Sequence, residues 1–305
     1  MKAAICMGYG SPDMIKVMEL PTPNYSKDEV LIKVMASAVN SGDIRTRGLM
    51  VNPVMKIVMR MVLGIRKPRK PILGVALAGE IVAVGEDVTN FKVGDQIFAM
   101  TGMRFGGHAQ FAVLKEKSAM SLKPKQAPFE EAAVLPFGGT TALHFLKKAQ
   151  IGEGQQVLIY GASGAVGTSA IQIAKYFGTK VTGVCSERHT QTISKLGADQ
   201  IVDYHNDAYL KMSQQFDLIF DAVGKIKKSQ VEHLLKPNGR FISVAGYGVA
   251  AEKIEDLQLL AQMYDEGKLN AVIDRTFTLD DIVLAHHYVD QGVKTGNVAI
   301  TIAHD

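Results

Sequence analysis

The chain has 305 residues, 47% hydrophobic and 21% charged, and 34 basic against 30 acidic side chains leave a formal net charge of +4. That is the balance of a soluble globular protein long enough for about two domains, and the basic excess is too small to point to nucleic acid. Two cysteines, Cys6 and Cys185, offer no disulfide framework and suit a reducing, cytoplasmic setting. Met1 runs straight into a strand-like segment, so no signal peptide is expected. Residues 1 to about 120 read as β-rich. Strands are expected at Lys2 to Met7, Met14 to Glu19, Val30 to Val39, Ala78 to Val84, Gln96 to Met100 and Ala109 to Leu114, with glycine-bearing turns between them. Asn40 and Asp43, just past Val39, sit among turn formers.

The stretch from Leu49 to Ile65 has a different texture. It is apolar and methionine-rich, but Pro53, Lys56, Arg60 and Gly64 break it too often for it to span a bilayer, so no membrane partner is expected. Val54, Ile57, Val58, Met61 and Val62 fall at helical spacing. Two readings stay open: a helix facing the core, the commoner fate of such a stripe, or a flexible wall from Met50 to Met61 over an apolar substrate. The basic run Arg66-Lys67-Pro68-Arg69-Lys70 reads as a solvated loop.

Beyond it, Glu130 to Leu135 and Thr140 to Lys148 read as two helical pieces around Pro136-Phe137-Gly138-Gly139. Val157 to Tyr160 is a short apolar run fit for a buried parallel strand. The glycine-rich turn after it, Gly161-Ala162-Ser163-Gly164-Ala165-Val166-Gly167, leads into a helix to Phe177 that Gly178 stops. Ala162 to Gly167 fits G/A-x-G-x-x-G, with Ala162 in the first slot. With the strand before and the next strand (Lys180 to Val184) after, this is the context of a dinucleotide site, pyrophosphate at the helix N-terminus. Helices and strands then alternate: helix 190–196, strand 200–204, strand 217–220, helix 226–235 stopped by Pro237-Asn238-Gly239, strand 240–244, helix 254–264, with Ala271 to Ile273 as the last strand. That alternation implies an α/β chain with a doubly wound parallel sheet. Thr278-Leu279-Asp280-Asp281 opens a helix to Val289, and Asn297 to Ile302 is a final strand.

An acid ending the second strand would bind the ribose of NAD; here Ser186 takes that place and Arg188 can pair with a phosphate dianion, which points to NADPH. Glu187 beside them would restore an NAD-type site by a shift of one residue. Ala222 and Val223, and Ala245 and Gly246, at the ends of later strands, complete the candidate cofactor contacts of this half.

Taken in order, Val39-Asn40-Ser41-Gly42-Asp43, Leu73 to Gly85, Phe91-Lys92-Val93-Gly94-Asp95, Ala132 to Pro136, Gly161 to Gly167, Gln172 to Lys175 and Gly296-Asn297-Val298 resemble the medium-chain dehydrogenase/reductases, in their zinc-free quinone oxidoreductase branch. The resemblance covers nearly the whole chain. It implies a GroES-like β-barrel domain (1–122), a Rossmann NADP-binding domain (123–267) and a C-terminal return to the barrel (268–305). It implies a nicotinamide contacted by Thr141 and Asn297, an adenine-side phosphate near Tyr204, and Asn40 and Asp43 facing the nicotinamide as catalytic candidates. It also implies a homodimer. Ala76 departs from the Asp of many relatives, and no tyrosine follows Gly48 where some reductases place a proton donor.

No metal is expected. The place of the first Cys ligand of zinc-dependent relatives falls in Val39-Asn40-Ser41, and their Gly-His-Glu segment is replaced by Gly74-Val75-Ala76. His108, His144, His286 and His287 read as structural. The Tyr-x-x-x-Lys spacings at Tyr176/Lys180 and Tyr264/Lys268 each straddle a helix-stopping glycine, so they are chance. The reading that results is an NADPH-dependent reductase of apolar quinones or α,β-unsaturated carbonyls. Two others stay open: a metal-free alcohol or aldehyde dehydrogenase, and a non-catalytic NADP-binding redox sensor.

Overall fold

The structure, a computed structural model, describes residues 1–49, 53–245 and 250–304, without the side chains of residues 53–55 and 206. The chain forms two compact units, Met1–Pro136 with Ile273–Asp305, and Phe137–Val272.

The first unit opens with β1 (Lys2–Cys6) and β2 (Ile15–Glu19), an antiparallel pair. Then come β3 (Glu29–Val39), α1 (Ser41–Gly48), α2 (Pro53–Leu63), β4 (Ala76–Val84), β5 (Gln96–Met100), β6 (Phe111–Lys115) and β7 (Met120–Leu122), with α3 (Phe129–Lys148) carrying the chain past Pro136. The second unit holds β8 (Gln156–Tyr160), α4 (Ala165–Tyr176), β9 (Lys180–Cys185), α5 (Thr190–Lys195), β10 (Gln200–Asp203), β11 (Phe216–Asp221), α6 (Lys228–Val231), β12 (Leu235–Ser243) and α7 (Ile254–Asp265). The chain returns to the first unit through β13 (Ile273–Thr278), α8 (Ile282–Asp290) and β14 (Asn297–Thr301).

In the first unit the larger sheet runs β13-β14-β3-β4-β5-β7, with β6 also on β3. β3 organises it: Val30, Ile32 and Val34 alternate into the core with Leu77, Ile81, Ile97, Leu114 and Met120. Each such side chain, fully buried, contributes roughly 1.5–3 kcal/mol. In the second unit the five strands are parallel in the order β10-β9-β8-β11-β12. The chain winds outward from β8 in both directions, so the ends of β8 and its neighbours form the switch point where ligands bind such sheets.

Several expectations are corrected. The strand expected to close the parallel sheet at Ala271 to Ile273 is absent there: Ala271 and Val272 lie outside any strand, and Ile273 begins β13, which pairs in parallel with β14 in the barrel sheet. The two helical pieces around Pro136-Phe137-Gly138-Gly139 are one 20-residue helix, α3. Its glycines are close-approach sites: a Cβ at Gly138 would lie 2.4 Å from the Ala165 carbonyl oxygen, and one at Gly139 2.5 Å from a Leu260 methyl. The helix expected from Ile226 to Leu235 shrinks to α6 and a 3-10 turn at Glu232–Leu234, and β12 starts at Leu235 and runs through the expected stop. The turn expected at Asn40 to Asp43 is the capped start of α1. Finally, α2 exists, but its described stripe does not face the core: Ile57, Val58, Met61 and Val62 are exposed, and Leu63 is the buried residue.

Candidate active site

In the second unit the site is built mostly of backbone. Gly161 follows β8 at φ +78°, and the N–H groups of Gly161 and Ala162 both donate to the Val184 carbonyl at 3.0 Å. Gly164 caps α4 in extended geometry with no side-chain cap, and its carbonyl accepts from Thr168 N–H at 2.8 Å. The first-turn N–H groups of Ala165, Val166 and Gly167 therefore have no acceptor within the helix, the arrangement that binds phosphate.

The three glycines do different work. A Cβ on Gly161 would sit 1.9 Å from a Val223 methyl, and one on Gly167 would sit 2.1 Å from the Gly161 carbonyl oxygen. Packing alone excludes both. A Cβ on Gly164 would meet only the Gly161 oxygen, at 3.6 Å, an ordinary contact. The protein's own atoms leave that space open. Ala162 holds the first motif slot in the sequence, but Gly161 makes the left-handed turn and the Ala162 side chain is buried against Gly183.

Around this turn, Ser186 is buried directly after β9, and Arg188 is exposed, with Nε donating to His189 Nε2 at 3.0 Å. The exposed Glu187 gives its N–H to Asp203 Oδ2 at 3.3 Å. Tyr204 follows β10 and stacks on His205 at 4.4 Å. Ser163 and Ala165 are half-buried and Val166 is buried. Thr141 lies mid-way along α3, not at a helix start, and its hydroxyl donates to the Phe137 carbonyl at 2.7 Å. Ala222 is buried, Val223 lies against Gly161, and Ala245 N–H donates to Ser243 Oγ at 3.1 Å. Gly246 lies outside the described residues, as does Met50.

Asp221 was not singled out by the sequence. It is fully buried, and its carboxylate accepts from Val223 N–H (3.1 Å), Gly224 N–H (2.8 Å), Ile226 N–H (3.2 Å) and Ser243 Oγ (2.9 Å). One side chain thus ties the loops after β11 and β12 beside Gly161. An acid ending an apolar strand just before a glycine was the available signal.

In the first unit the candidate residues lie in a polar cluster at the end of β3. Asn40 is the N-cap of α1: its Oδ1 accepts from Gly42 N–H at 2.8 Å and Asp43 N–H at 3.4 Å, while Asp43 Oδ2 accepts from Asn40 N–H at 3.1 Å, completing a capping box. Asp43 Oδ1 accepts from Gly74 N–H at 2.9 Å. Burial pushes the Asp43 carboxyl up to about 7, against the backbone donors of Asn40, Gly74 and Val75 that hold it down. His108 is buried beside it, bonded through Nδ1 to Ser37 Oγ at 2.9 Å, and burial drives it down to about 3. Its Nε2 lies 3.9 Å from Asp43 Oδ2; with the imidazole neutral, this is no ion pair. His286 meets His108 edge-on at 5.9 Å and is also held well below the usual histidine range by burial. Among the described residues, Asn40 Nδ2, His108 Nε2, Arg47 Nε and both His286 ring nitrogens are buried without a hydrogen-bond partner. Asn297, at the start of β14, is buried as well. His108 and His286, read from the sequence as structural, both lie in this buried cluster.

A sequence pattern described as "Alcohol dehydrogenase GroES-like domain" matches residues 26–124, and patterns described as "Zinc-binding dehydrogenase" match residues 165–273 and 247–300. The chain is 32% identical to the 2-methylene-furan-3-one reductase of Solanum lycopersicum, over 98% of this chain and 79% of that one. The chain belongs to the medium-chain dehydrogenase/reductase superfamily, in its quinone oxidoreductase-like branch. It is 28% identical to the NADPH-dependent alkenal/one oxidoreductase of Arabidopsis thaliana, again over 98% of this chain and 79% of that one. The quinone oxidoreductase of Coxiella burnetii superposes with a TM-score of 0.83 at 29% identity, over 99% of both chains. As a member of this branch the chain is an NAD(P)H-dependent oxidoreductase with a GroES-like and a Rossmann-type domain. Among the described residues no three His, Cys, Asp or Glu side chains converge on a metal position.

Proposed function

We infer that the chain is a zinc-independent, NADPH-dependent reductase of quinones or α,β-unsaturated carbonyls. One observation carries the reading. The Asn40 amide oxygen is engaged by the first turn of α1, which pins the amide, and its N–H2 is buried with no partner. A buried donor without a partner is costly unless a ligand completes it. It suits the oxygen of a reduced conjugated acceptor. The bound nicotinamide supplies a hydride. Reduction of a simple ketone would leave an alkoxide that needs a metal or a strong acid, whereas an enolate or hydroquinone anion spreads its charge and needs only modest donors. Asn40 holds that oxygen, Asp43 fixes Asn40 through the capping box, and the proton comes from solvent.

In the same reading the first-turn N–H groups of Ala165, Val166 and Gly167 hold the pyrophosphate, and Ala162, Ser163 and Gly164 shape the turn that presents them. Arg188, Ser186 and Tyr204 take the 2′-phosphate. Thr141, Ala222, Val223 and Ala245 line the rest of the cofactor in this unit. The protein works as a homodimer in the cytoplasm. The test follows NADPH oxidation with a quinone or enone beside a matched saturated ketone, before and after dialysis against a strong chelator. Conjugated acceptors are expected to react faster, with unchanged rates after dialysis. Faster reduction of the saturated ketone, or zinc lost together with activity, would overturn the reading.

A further inference from the structure

Between Asp43 and Glu80 the chain carries eight basic residues and no acid, while over the rest of the sequence acids outnumber bases. Six of those cations, Lys56, Arg60, Arg66, Lys67, Arg69 and Lys70, lie on α2 and the turn that follows it; all six are exposed, and among the described residues none pairs with a carboxylate. The same segment exposes large apolar side chains: Ile57 is 63% exposed, Met61 59%, Val62 56% and Ile65 70%. Ile57, Val58, Met61 and Val62 recur at i, i+1, i+4 and i+5, so they share one face of α2.

This face is displayed by a built support. Leu63 and Pro68 are buried, Arg69 N–H donates to the Leu63 carbonyl at 2.6 Å, and Tyr9 Oη donates to the Gly64 carbonyl at 2.8 Å. Gly64 sits at φ +133°, where a Cβ would strike the Lys67 carbonyl oxygen at 2.2 Å. The turn is therefore held in one shape, with Ile65, Arg66 and Lys67 outward. Lying beside so many cations, the apolar face does not invite a second copy of itself, which would bring like charges together. Nor does it match a polyanion such as nucleic acid, which has no use for it. Apolar side chains interleaved with lysine and arginine match one surface chemistry, that of an anionic bilayer.

We propose that α2 and its basic turn form a docking surface for anionic lipid membranes, with Ile57, Met61, Val62 and Ile65 entering the headgroup–acyl boundary and Arg66, Lys67, Arg69 and Lys70 on the lipid phosphates. Such a helix lies in the surface and does not cross it; no helix among the described residues is long and apolar enough to span.

The chain has no tryptophan, so Met61→Trp places a single fluorescent reporter on the proposed face. The full-length protein is mixed with vesicles of phosphatidylcholine alone and with vesicles that also contain phosphatidylglycerol. Sedimentation with the anionic vesicles only, weakened by salt, is expected, with a blue shift of the Met61→Trp emission. Ile57→Glu with Met61→Glu, and separately Arg66→Glu with Lys67→Glu, should each weaken binding by about tenfold or more. Emission from Met61→Trp that does not move on anionic vesicles overturns the proposal. So does sedimentation that the apolar-face variant leaves unchanged, the outcome for a surface that binds any polyanion. A face that covers substrate instead would show no vesicle binding, which also overturns it.

Discussion

The turn after β8 and the end of β3, the two candidate sites, are built in opposite ways. At the turn the working parts are main-chain N–H groups, and glycines clear the way to them. At the end of β3 the candidates are side chains, Asn40 and Asp43, packed with His108 and His286 and buried so deeply that Asp43 and His108 shift by several pH units. Backbone donors are lost only by mutation to proline, but they demand a close fit from every atom around them. Buried side chains can be swapped one at a time, and each swap changes charge, cap and donor separately.

The sharpest test of that contrast compares two glycines three residues apart. Gly167→Val drives a side chain into the Gly161 carbonyl, so the variant is expected to be insoluble or to melt about 10 °C lower. Gly164→Val places its Cβ where the protein offers only an ordinary contact. It should fold with nearly the wild-type melting temperature and yet lose about 100-fold or more in NADPH affinity by titration calorimetry. Equal damage from both would mean that the turn is only a packing device.

At the end of β3, Asn40→Ser keeps a capping oxygen but removes the amide donor. Turnover should fall about tenfold with little change in melting temperature, because serine caps as well as asparagine. Asn40→Ala should show the same kinetic loss and also about 1 kcal/mol of destabilisation in urea melts. If Asn40→Ser retained full turnover, Asn40 would be a cap and nothing more.

Arg188→Ala tests the exposed side-chain part of the cofactor site. The ratio of KM values for NADH and NADPH should fall several-fold, a smaller effect because an exposed charge pair is screened. Equal values for the two cofactors in wild type would remove the assignment.

The smallest effect is a slope. The Asp43 carboxyl, raised in the folded state, contributes stability below its unfolded value of 3.8 that is lost as pH rises through about 7. His108, lowered by burial, works the other way: the unfolded chain binds its proton first, so stability rises with pH from about 3 to 6.5. His286 adds to that rise, and Arg47 faces it. Between about pH 4 and 6.5 the contributions oppose each other. His108→Asn should unmask Asp43 and turn the pH slope of unfolding free energy more negative, by at most about 1.4 kcal/mol per pH unit. An unchanged slope between pH 5 and 6.5 would show that the two groups do not titrate as their burial dictates.

Much of this was legible before any coordinates. The glycine spacing, the apolar run before it and the β/α alternation identify the parallel sheet and its glycine-rich turn, because those features are local: each strand, turn and helix start is written in a few consecutive residues. The same sequence misreads α3 as two pieces, since Gly138 and Gly139 look like breaks. What removes the side chains there is Ala165 and Leu260, far along the chain. It also sends Ala271 to Ile273 to the wrong sheet, because strand pairing is a non-local choice.

Local pattern alone, then, determined the class of fold, the candidate cofactor turn and the helical spacing of the methionine-rich stretch. Only the tertiary structure decided at which glycine packing forbids a side chain and at which it does not, that Asp221 ties the end of β12 to the loop after β11, that Asn40 caps a helix with its amide donor left over, and that the stripe of α2 faces outward. Each of these depends on what lies across space from a residue, and burial, pKa and free donors are properties of that neighbourhood rather than of the residue itself.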